Sequence, residues 1–574
     1  MNRPSACDVS AWIPPLESDD SGLSDSEDCD GDFERNLLCE DESTDEDCTA
    51  PTSPSATTGT REIQWETVPQ QNSTKDFPVW GGARSHVEEI KQPIQYFRYF
   101  FHNDVLELIV QQSNLFYFQQ KHSALNLDQN ELEQFLGTLL YMSVIQLPRS
   151  RLYWSAECRV AQVADIMSRG RWEEIKEFIH FNDNSNLASN NDKLYKIRPF
   201  INLLLTKFHV LPQNQMLSVH ELIVPFKGKT NLKQYFSNKL YKWGYKIFVL
   251  CDTNGLVHSF DIFTGYSEPL PGEPDRGVGG NVVLKFAQVI PSSANHLLFF
   301  DSCFSSLDLL VVLANKGIPA LGAMKQNRLP GCSFSKDGVM KKNGRGSFEE
   351  KKVVIESVEI RAVKWFNHRG LIVASTFASA QPVCQVERWD RKLKKTISVK
   401  CPSIISIYNQ FKGGVNSLEA LISNFPIQIK SRKFYHKLFF YFINMVIVNS
   451  WLLYQRDCDF LNVPKKMQKD FLDFRTSIAQ ALCLQGKDLS RKRSGQPYSE
   501  IEKEFEKKKQ RGATKAIPTQ EVRSDSVGHW PVMETVRQRC KRPNCKGLTV
   551  SKCVKCNVHL CLSKRKNCFR DFHE

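Results

Sequence analysis

Apolar residues recur every three or four positions in the segment that follows Pro93, which is the spacing of helices with one buried face. The residues that show this spacing most clearly are Phe97, Phe100, Leu132, Phe135, Leu136 and Leu139. The same spacing continues over 165–181, with Trp172 expected to be buried and Arg169 and Arg171 expected to be exposed. The pattern therefore predicts a helical domain that begins near residue 93.

The pattern changes to strand-like alternation after residue 212. Residues 216–226 alternate, 245–263 indicate two strands around a turn, and 296–301 form an apolar strand that ends in Asp301. A helical pattern follows over 307–316. Strand pairs followed by a strand–helix crossover predict a mixed α/β sheet.

Three further segments are distinguished by their composition. Residues 1–92 are rich in Ser, Asp, Glu, Thr and Pro, so they are expected to be disordered because they bury too little apolar area to offset the entropy of ordering. Residues 353–375 resemble an inserted β unit, and 424–485 return to a helical pattern, in which the apolar stretch 438–454 is expected to be a buried helix. Residues 486–535 form a polar linker.

Charge is distributed unevenly along the chain. The net charge of the whole chain is +13, but residues 1–50 contain 16 acidic and two basic residues, so the remainder carries +27. A basic body of this kind favours a polyanionic partner, most often nucleic acid, although excess lysine also serves solubility. The linker adds two basic runs, 491–493 and 507–509, which serve as nuclear import signals or DNA tethers, or simply as solvated charge. We predict a nuclear location.

The C-terminal segment concentrates the candidate metal ligands. In chain order they are Cys540, Cys545, Cys553, Cys556, His559, Cys561, Cys568 and His573. Eight thiolate or imidazole ligands suit two tetrahedral Zn²⁺ ions, and metal binding would fold a segment too short to bury its own core. Disulfides are the alternative, but no secretory signal is recognised at the N-terminus, so a reducing compartment is expected.

An interleaved arrangement of these ligands is the working hypothesis. It assigns Cys540, Cys545, His559 and Cys561 to one ion. It assigns Cys553, Cys556, Cys568 and His573 to the other. Basic residues crowd the same segment, and five of them are predicted to contact DNA phosphates: Lys541, Arg542, Lys564, Arg565 and Lys566.

Several stretches together resemble the piggyBac family of DDE transposases, and the chain is identified as a transposable-element-derived member. The matching stretches are 169–172, 180–184, 217–221, 226–229, 300–307, 408–416, 449–451 and the terminal cysteine-rich segment. The resemblance covers about residues 93–574. It implies a ribonuclease-H-like α/β core interrupted by an insertion, a helical dimerisation and DNA-binding domain assembled from both sides of that core, and a C-terminal zinc-binding cross-brace finger.

The resemblance also implies domain boundaries. The helical domain would comprise 93–215 and 424–485, the core 216–326 and 403–423, the insertion 327–402, and the finger 536–574 after a linker at 486–535. Within the helical domain, Arg169, Arg171, Lys430, Arg432 and Lys433 are predicted to contact DNA. The family's tryptophan in the segment after the third acid is replaced here by Phe434, which would retain base stacking.

The family's three catalytic aspartates fall at His220, Asp301 and Asn416. DNA cleavage by in-line attack uses two Mg²⁺ ions, which require oxygen ligands and negative charge. Only Asp301 remains acidic, so the magnesium site is predicted to be lost. Glu419 shares a helix face with Asn416 and is a candidate to replace one of the lost metal ligands.

The resulting prediction is a catalytically inactive, transposase-derived DNA-binding protein that forms a homodimer. Two alternatives stay open. One is an active cut-and-paste transposase that uses Glu419 and another acid. The other is a chromatin protein whose finger binds peptides, which is compatible with the first reading.

Overall fold

The structure is a computed structural model that describes residues 63–69, 77–82, 87–185, 191–237, 242–292, 294–390, 393–486, 518–563 and 566–574. It divides into two compact units, Met1–Gly486 and Lys487–Glu574. The acidic N-terminal segment, both basic runs of the linker, Lys564 and Arg565 lie outside the described residues.

A ten-stranded mixed sheet forms the centre of the first unit, which confirms the predicted mixed α/β sheet. Its strands are β1 (Glu66–Thr67), β2 (Met216–Pro225), β3 (Gln234–Tyr235), β4 (Trp243–Asp252), β5 (Val257–Ile262), β6 (Leu297–Phe300), β7 (Ala320–Ala323), β8 (Phe348–Ile355), β9 (Val358–Phe366) and β10 (Gly370–Ser375). The order across the sheet is β1-β8-β9-β10-β7-β6-β2-β4-β3, and β5 also pairs with β4. Strand β6 runs parallel to both β2 and β7, and the other pairs are antiparallel.

The segment 327–402, predicted as an insertion, is β-rich, but most of its strands belong to the central sheet. Strands β8, β9 and β10 extend the central sheet beyond β7 through antiparallel pairing. Among the described strands of this segment, β11 (Cys384–Asp390) and β12 (Lys395–Cys401) pair with each other outside the central sheet. The β9 and β10 strands bury Val363 and Val373 completely, so the extension continues the core of the sheet.

Thirteen helices are described in the first unit. They are α1 (Pro93–Phe100), α2 (Asn103–Lys121), α3 (Gln129–Val144), α4 (Ala161–Ala164), α5 (Arg169–Phe178), α6 (Arg198–His209), α7 (Gly277–Ala287), α8 (Leu307–Asn315), α9 (Asp337–Lys342), α10 (Ser403–Phe411), α11 (Gly414–Asn424), α12 (Phe434–Phe460) and α13 (Phe471–Cys483). Short 3-10 turns occupy Ser150–Trp154, Gln326–Arg328 and Lys465–Met467. Helices α7 and α8 cover one face of the sheet with a core of their own.

Helices that precede the sheet in the chain and helices that follow it share one hydrophobic core. The side chains of α1, α3 and α6 pack with those of α12 and α13. Buried polar contacts join the same helices, since Arg475 on α13 donates to Ser143 on α3 and to Asn444 on α12. Helix α12 is long and apolar enough to cross a membrane by length and composition, but 83% of its most apolar window is buried inside the protein. It therefore serves as the centre of the helical core.

The expectation that residues 1–92 are disordered is wrong for the part of them that the structure describes. Strand β1 pairs with β8, and the indole of Trp65 donates to the carbonyl of Pro330 at 2.9 Å. Further along, Phe77 packs against Phe377 and Trp80 packs against His296. The average composition of the segment concealed these few aromatic residues, which pack part of their side chains against the rest of the first unit.

Helix α11 begins in a close approach to the turn between β4 and β5. A Cβ atom at Gly414 would lie 2.0 Å from the carbonyl oxygen of Asp252 and 3.1 Å from Sγ of Cys251, whereas a Cβ at the preceding Gly413 would meet nothing within 4 Å. Gly414→Ala is therefore expected to destabilise the first unit by about 3 kcal/mol, because backbone atoms must move to admit the methyl group. Urea denaturation of this variant measures the effect.

Gly413→Ala is the matched control for that variant. Its free energy of unfolding is expected to stay within about 0.5 kcal/mol of the unaltered protein, since its methyl group enters open space. Equal stability of the two variants would show that α11 does not pack on the turn as described.

Candidate functional site

The parallel pairing of β2 and β6 brings His220 and Asp301 together. Val219 lies opposite Phe300 in the register, so the residue that follows each of them is its neighbour at this edge. Nδ1 of His220 lies 3.2 Å from Oδ2 of Asp301. From α10, the hydroxyl of Tyr408 donates to Oδ1 of Asp301 at 2.7 Å. Both oxygens of the one remaining predicted catalytic acid therefore have protein partners.

The electrostatic environment keeps Asp301 ionised. Burial alone would raise its pKa, but the hydrogen bonds and charges of His220, Tyr408 and Lys412 outweigh burial and hold the pKa of Asp301 well below its usual range. The carboxylate side chain is nevertheless 47% exposed. On the other side of the imidazole, Nε2 of His220 is buried and has no hydrogen-bond partner among the described residues.

The third predicted position lies on a different element. Asn416 and Glu419 are exposed on α11, where the backbone N–H of Asn416 donates to Gly413. Glu221 adjoins His220 in the chain but forms an ion pair at 2.7 Å with Lys246 of β4. Adjacent side chains on a strand point to opposite faces, so Glu221 does not supplement Asp301.

The residues present do not fit a two-magnesium centre. Mg²⁺ requires near-octahedral oxygen coordination and usually takes one or two carboxylates from the protein. Here both oxygens of Asp301 already accept or face hydrogen-bond donors, and the neighbouring ligand position holds an imidazole. What the arrangement does hold is a fixed, charged His–Asp–Tyr cluster at the end of two strands.

The second unit is built on short elements. They are α14 (Gln520–Arg523), β13 (Pro531–Arg539), β14 (Leu548–Cys553), β15 (Leu562–Ser563), β16 (Lys566–Asn567) and α15 (Cys568–His573). Strands β13 and β14 form an antiparallel pair in which Pro531 lies opposite Cys553. Its small core consists mainly of cysteines, with Val558, Leu560 and Phe572.

Two groups of four ligand atoms lie in this unit, each within 4.8 Å of one another. One group is Cys540, Cys545, Cys561 and Cys568, and the other is His529, Cys553, Cys556 and His573. Seven of the eight predicted ligands are therefore brought together, but the predicted partition is wrong. Cys568 takes the place assigned to His559, and His529 completes the second group.

The chain path explains both differences. Because Pro531 pairs with Cys553, the residue two positions before Pro531 is carried to the cysteines at the end of β14, and that residue is His529. His559 instead lies in an isolated bridge with Lys552, and its Nε2 faces Glu534 at 3.1 Å. His529 lies in the segment predicted as a linker, although its residue type alone makes it a candidate ligand.

The spacing of the ligand atoms fits Zn²⁺. Sγ of Cys545 lies 3.9 Å from Sγ of Cys561 and 3.6 Å from Sγ of Cys568. Tetrahedral Zn–S bonds of about 2.3 Å place two sulfur atoms about 3.8 Å apart. In the other group, Sγ of Cys556 lies 3.4 Å from both His529 Nδ1 and His573 Nε2.

Outer hydrogen bonds orient both histidines toward the thiols. The Nε2–H of His529 donates to Asp525 at 2.9 Å, and the Nδ1–H of His573 donates to the carbonyl of Phe569 at 2.7 Å. Each ring therefore directs its other nitrogen, with its lone pair, toward Cys556. Hydrogen bonding of the second nitrogen to an oxygen acceptor is the usual feature of metal-binding histidines.

Comparison with known proteins places this architecture in a family. Residues 92–451 match the family model described as Transposase IS4. The human piggyBac transposable element-derived protein 2 is 28% identical over 509 residues, which are 87% of this chain and 80% of that protein. The human piggyBac transposable element-derived protein 3 is also 28% identical, over 82% of this chain and 75% of its own length.

The chain belongs to the piggyBac family. A cryo-EM structure of the piggyBac transposase synaptic complex with hairpin DNA has a TM-score of 0.58 with this chain at 18% identity. The match covers 82% of this chain and 96% of that one, so the two share a fold.

Within this piggyBac-family chain, the two arginines predicted to contact DNA differ. Arg169 is exposed and pairs with Glu173 one turn further along α5. Arg171 is only 24% exposed, and its guanidinium forms hydrogen bonds at 2.6–2.7 Å with Glu131 and Glu174. These bonds, chiefly the one to Glu131, raise its pKa. The prediction that Arg171 is exposed is wrong. Its guanidinium forms an ion pair with Glu131 that connects α5 to α3.

The segment before α12 divides in a similar way. Lys430 and Arg432 are exposed. Burial lowers the pKa of Lys433, whose Nζ donates to the carbonyl of Glu177 and lies over the ring of Phe116. Phe434 is half-buried against the helical core. Only the first two side chains of this predicted DNA-binding set are fully presented to solvent.

Of the five basic residues predicted to contact DNA in the second unit, three are described. Lys541 is half-buried, and its backbone N–H donates to the carbonyl of His559. Arg542 pairs with Asp571 at 3.0 Å. Lys566 is exposed, and the adjacent Cys545 raises its pKa. Lys566 therefore presents its charge beside the four-cysteine group.

Proposed function

We propose that this piggyBac-family protein binds DNA and does not cleave it. The observation that carries the proposal is the set of contacts around Asp301, whose two oxygens are engaged by His220 and Tyr408. In this proposal the central sheet is a ribonuclease-H-like core retained as a scaffold. Asn416 is neutral, so the three positions that the resemblance assigns to catalytic aspartates hold one carboxylate, that of Asp301.

DNA binding is assigned to the second unit. Two Zn²⁺ ions, one in each group of four ligands, would hold it folded, and zinc in closed four-ligand sites contributes directly to folding. Its exposed basic residues would contact phosphates, as would the exposed Lys430 and Arg432 of the first unit. A protein of this fold was captured with hairpin DNA, and we extend DNA binding from it to this chain.

The proposal includes a nuclear location and a homodimer that joins two DNA sites. A second candidate function is chromatin peptide recognition by the second unit. The observation that favours it is the exposure of apolar residues on and beside β13, where Trp530 is 71% and Met533 67% exposed. An extended peptide pairing with β13 would cover them.

Substitution of two ligands tests the assignment of DNA binding. Cys553→Ser/Cys556→Ser is expected to weaken binding to a duplex selected from a random pool by about 10³-fold, because the unit that supplies specific contacts loses its metal and unfolds. Fluorescence anisotropy at fixed salt measures the loss. Cys158→Ser, at an exposed cysteine of the first unit, is the control and should bind normally. Undiminished binding by the double variant would refute this role for the second unit.

A further inference from the structure

An exposed aromatic pair lies at one edge of the central sheet, away from the His220–Asp301 cluster in the strand register. In the described part of the sheet, β3 is the last strand on this side. It pairs with the start of β4, which places Tyr235 directly opposite Trp243. The ring centroids are 5.0 Å apart and the rings are tilted by 59°. Tyr235 is 54% and Trp243 47% exposed, so both rings offer large faces to solvent.

The pair is not part of the hydrophobic core that β4 helps to form. Two residues further along β4, Tyr245 is completely buried and stacks on Phe226. A cross-strand aromatic pair stabilises a hairpin by itself, and this contribution accounts for the contact between the rings. It does not account for the charge that surrounds them.

That charge is strongly one-sided. Residues 222–251 contain six lysines and neither Asp nor Glu. Lys246 is paired with Glu221, but Lys227, Lys229 and Lys242 are exposed. Nζ of Lys233 lies 4.6 Å from the centroid of the Trp243 ring. Lysines alone would indicate only a solvated surface, and the two aromatic rings alone would indicate only a hairpin contact. Together they form a surface that offers both positive charge and aromatic faces to a ligand.

We propose that this surface, formed by Tyr235, Trp243 and the neighbouring lysines, binds unpaired nucleic-acid bases. Bases stack on exposed aromatic rings whatever their sequence, while lysines attract the backbone phosphates. In an intact duplex the base faces are covered by their neighbours. The aromatic rings can therefore meet a base only in a single strand or at a frayed or nicked end.

The proposal rests on the proposed function in that both concern nucleic acid, but it uses a different surface and a different form of the ligand. The ligand groups of the second unit would govern binding to duplex DNA. The aromatic pair of the first unit would add affinity for single strands. Each can therefore fail while the other holds.

The test compares single-stranded and duplex DNA with the full-length protein. Tyr235→Ala/Trp243→Ala is expected to weaken binding of a 20-nucleotide thymidine oligomer about ten-fold, because one stacked base is lost, and to change binding of a duplex less than about two-fold. Tyr235→Phe/Trp243→Phe keeps two aromatic faces and should retain single-strand binding. The control is Tyr266→Ala, since Tyr266 is 55% exposed but lies beside Asp275.

A measurement on the unaltered protein guards against misfolding of the double alanine variant. Photocrosslinking to an oligomer that contains 5-iodouracil, followed by mass spectrometry, should mark Tyr235 or Trp243. Crosslinks confined to other surfaces would overturn the proposal. Equal losses for single-stranded and duplex DNA would also overturn it. Unchanged binding of both would overturn it too, leaving the pair available to an acidic protein partner.

Discussion

The double substitution His220→Asp/Asn416→Asp is expected to convert this protein into one that nicks supercoiled plasmid in Mg²⁺ or Mn²⁺, whereas the unaltered protein leaves the plasmid intact. The two substitutions restore carboxylates at the positions that the family resemblance assigns to metal ligands. A bound metal contributes several kcal/mol of transition-state stabilisation, so nicking should rise on the order of a hundred-fold or more above background. Gel electrophoresis of the relaxed product measures it.

The contacts of Asp301 supply two further variants for this experiment. Adding Asp301→Asn to the double variant should abolish nicking, because the remaining family acid is then neutral. Adding Tyr408→Phe removes the hydroxyl that donates to Oδ1 of Asp301 and should increase nicking, since that oxygen becomes available to a metal. If the unaltered protein nicks as fast as the double variant, the proposal of an inactive site is wrong.

Replacement of His529 is expected to halve the zinc content of the protein. The two four-ligand groups predict about two Zn²⁺ per chain, and His529→Ala removes one ligand from the group that contains Cys553, Cys556 and His573. Loss of one of four ligands in a small structural site should leave about one ion per chain after dialysis. Inductively coupled plasma mass spectrometry of protein purified without chelator measures the ratio.

His559→Ala is the matched control for zinc content. His559 is also a buried histidine of the second unit, but its Nε2 faces Glu534 and lies in neither group of four ligands. This variant should keep about two ions per chain even if the unit becomes less stable. A loss of zinc in the His559 variant, with full occupancy in the His529 variant, would restore the ligand set inferred from spacing alone.

These ligand sets show what periodicity and spacing can and cannot predict. Repeated apolar spacing predicted the helices and the mixed sheet, because it reports which face of an element is buried. His529 was missed because strand pairing, not nearness in the chain, brings it to Cys553. Arg171 was misjudged for the same reason, since its partner Glu131 lies 40 residues away.

The extended sheet gives a parallel lesson. The alternating pattern of residues 353–375 would be the same whichever strands they paired with. It therefore predicts strands but not the strands next to them in the sheet. Pairing of β10 with β7 is decided by the surface that β7 presents once the sheet exists. The N-terminal segment likewise adds β1 only because β8 offers an open edge.

The shared helical core also determines the order in which the protein can fold during synthesis. Helices α1 to α6 emerge from the ribosome first, but their apolar faces are covered by α12 and α13. Contacts such as those of Tyr96 with Asp457 and of Ser143 with Arg475 cannot form until the later helices exist. At a translation rate of about 5–20 residues per second, roughly 15–55 seconds pass between the synthesis of α6 and that of α13, and the apolar faces of the early helices are uncovered during this interval. We therefore expect the nascent chain to bind chaperones until α12 and α13 have been synthesised.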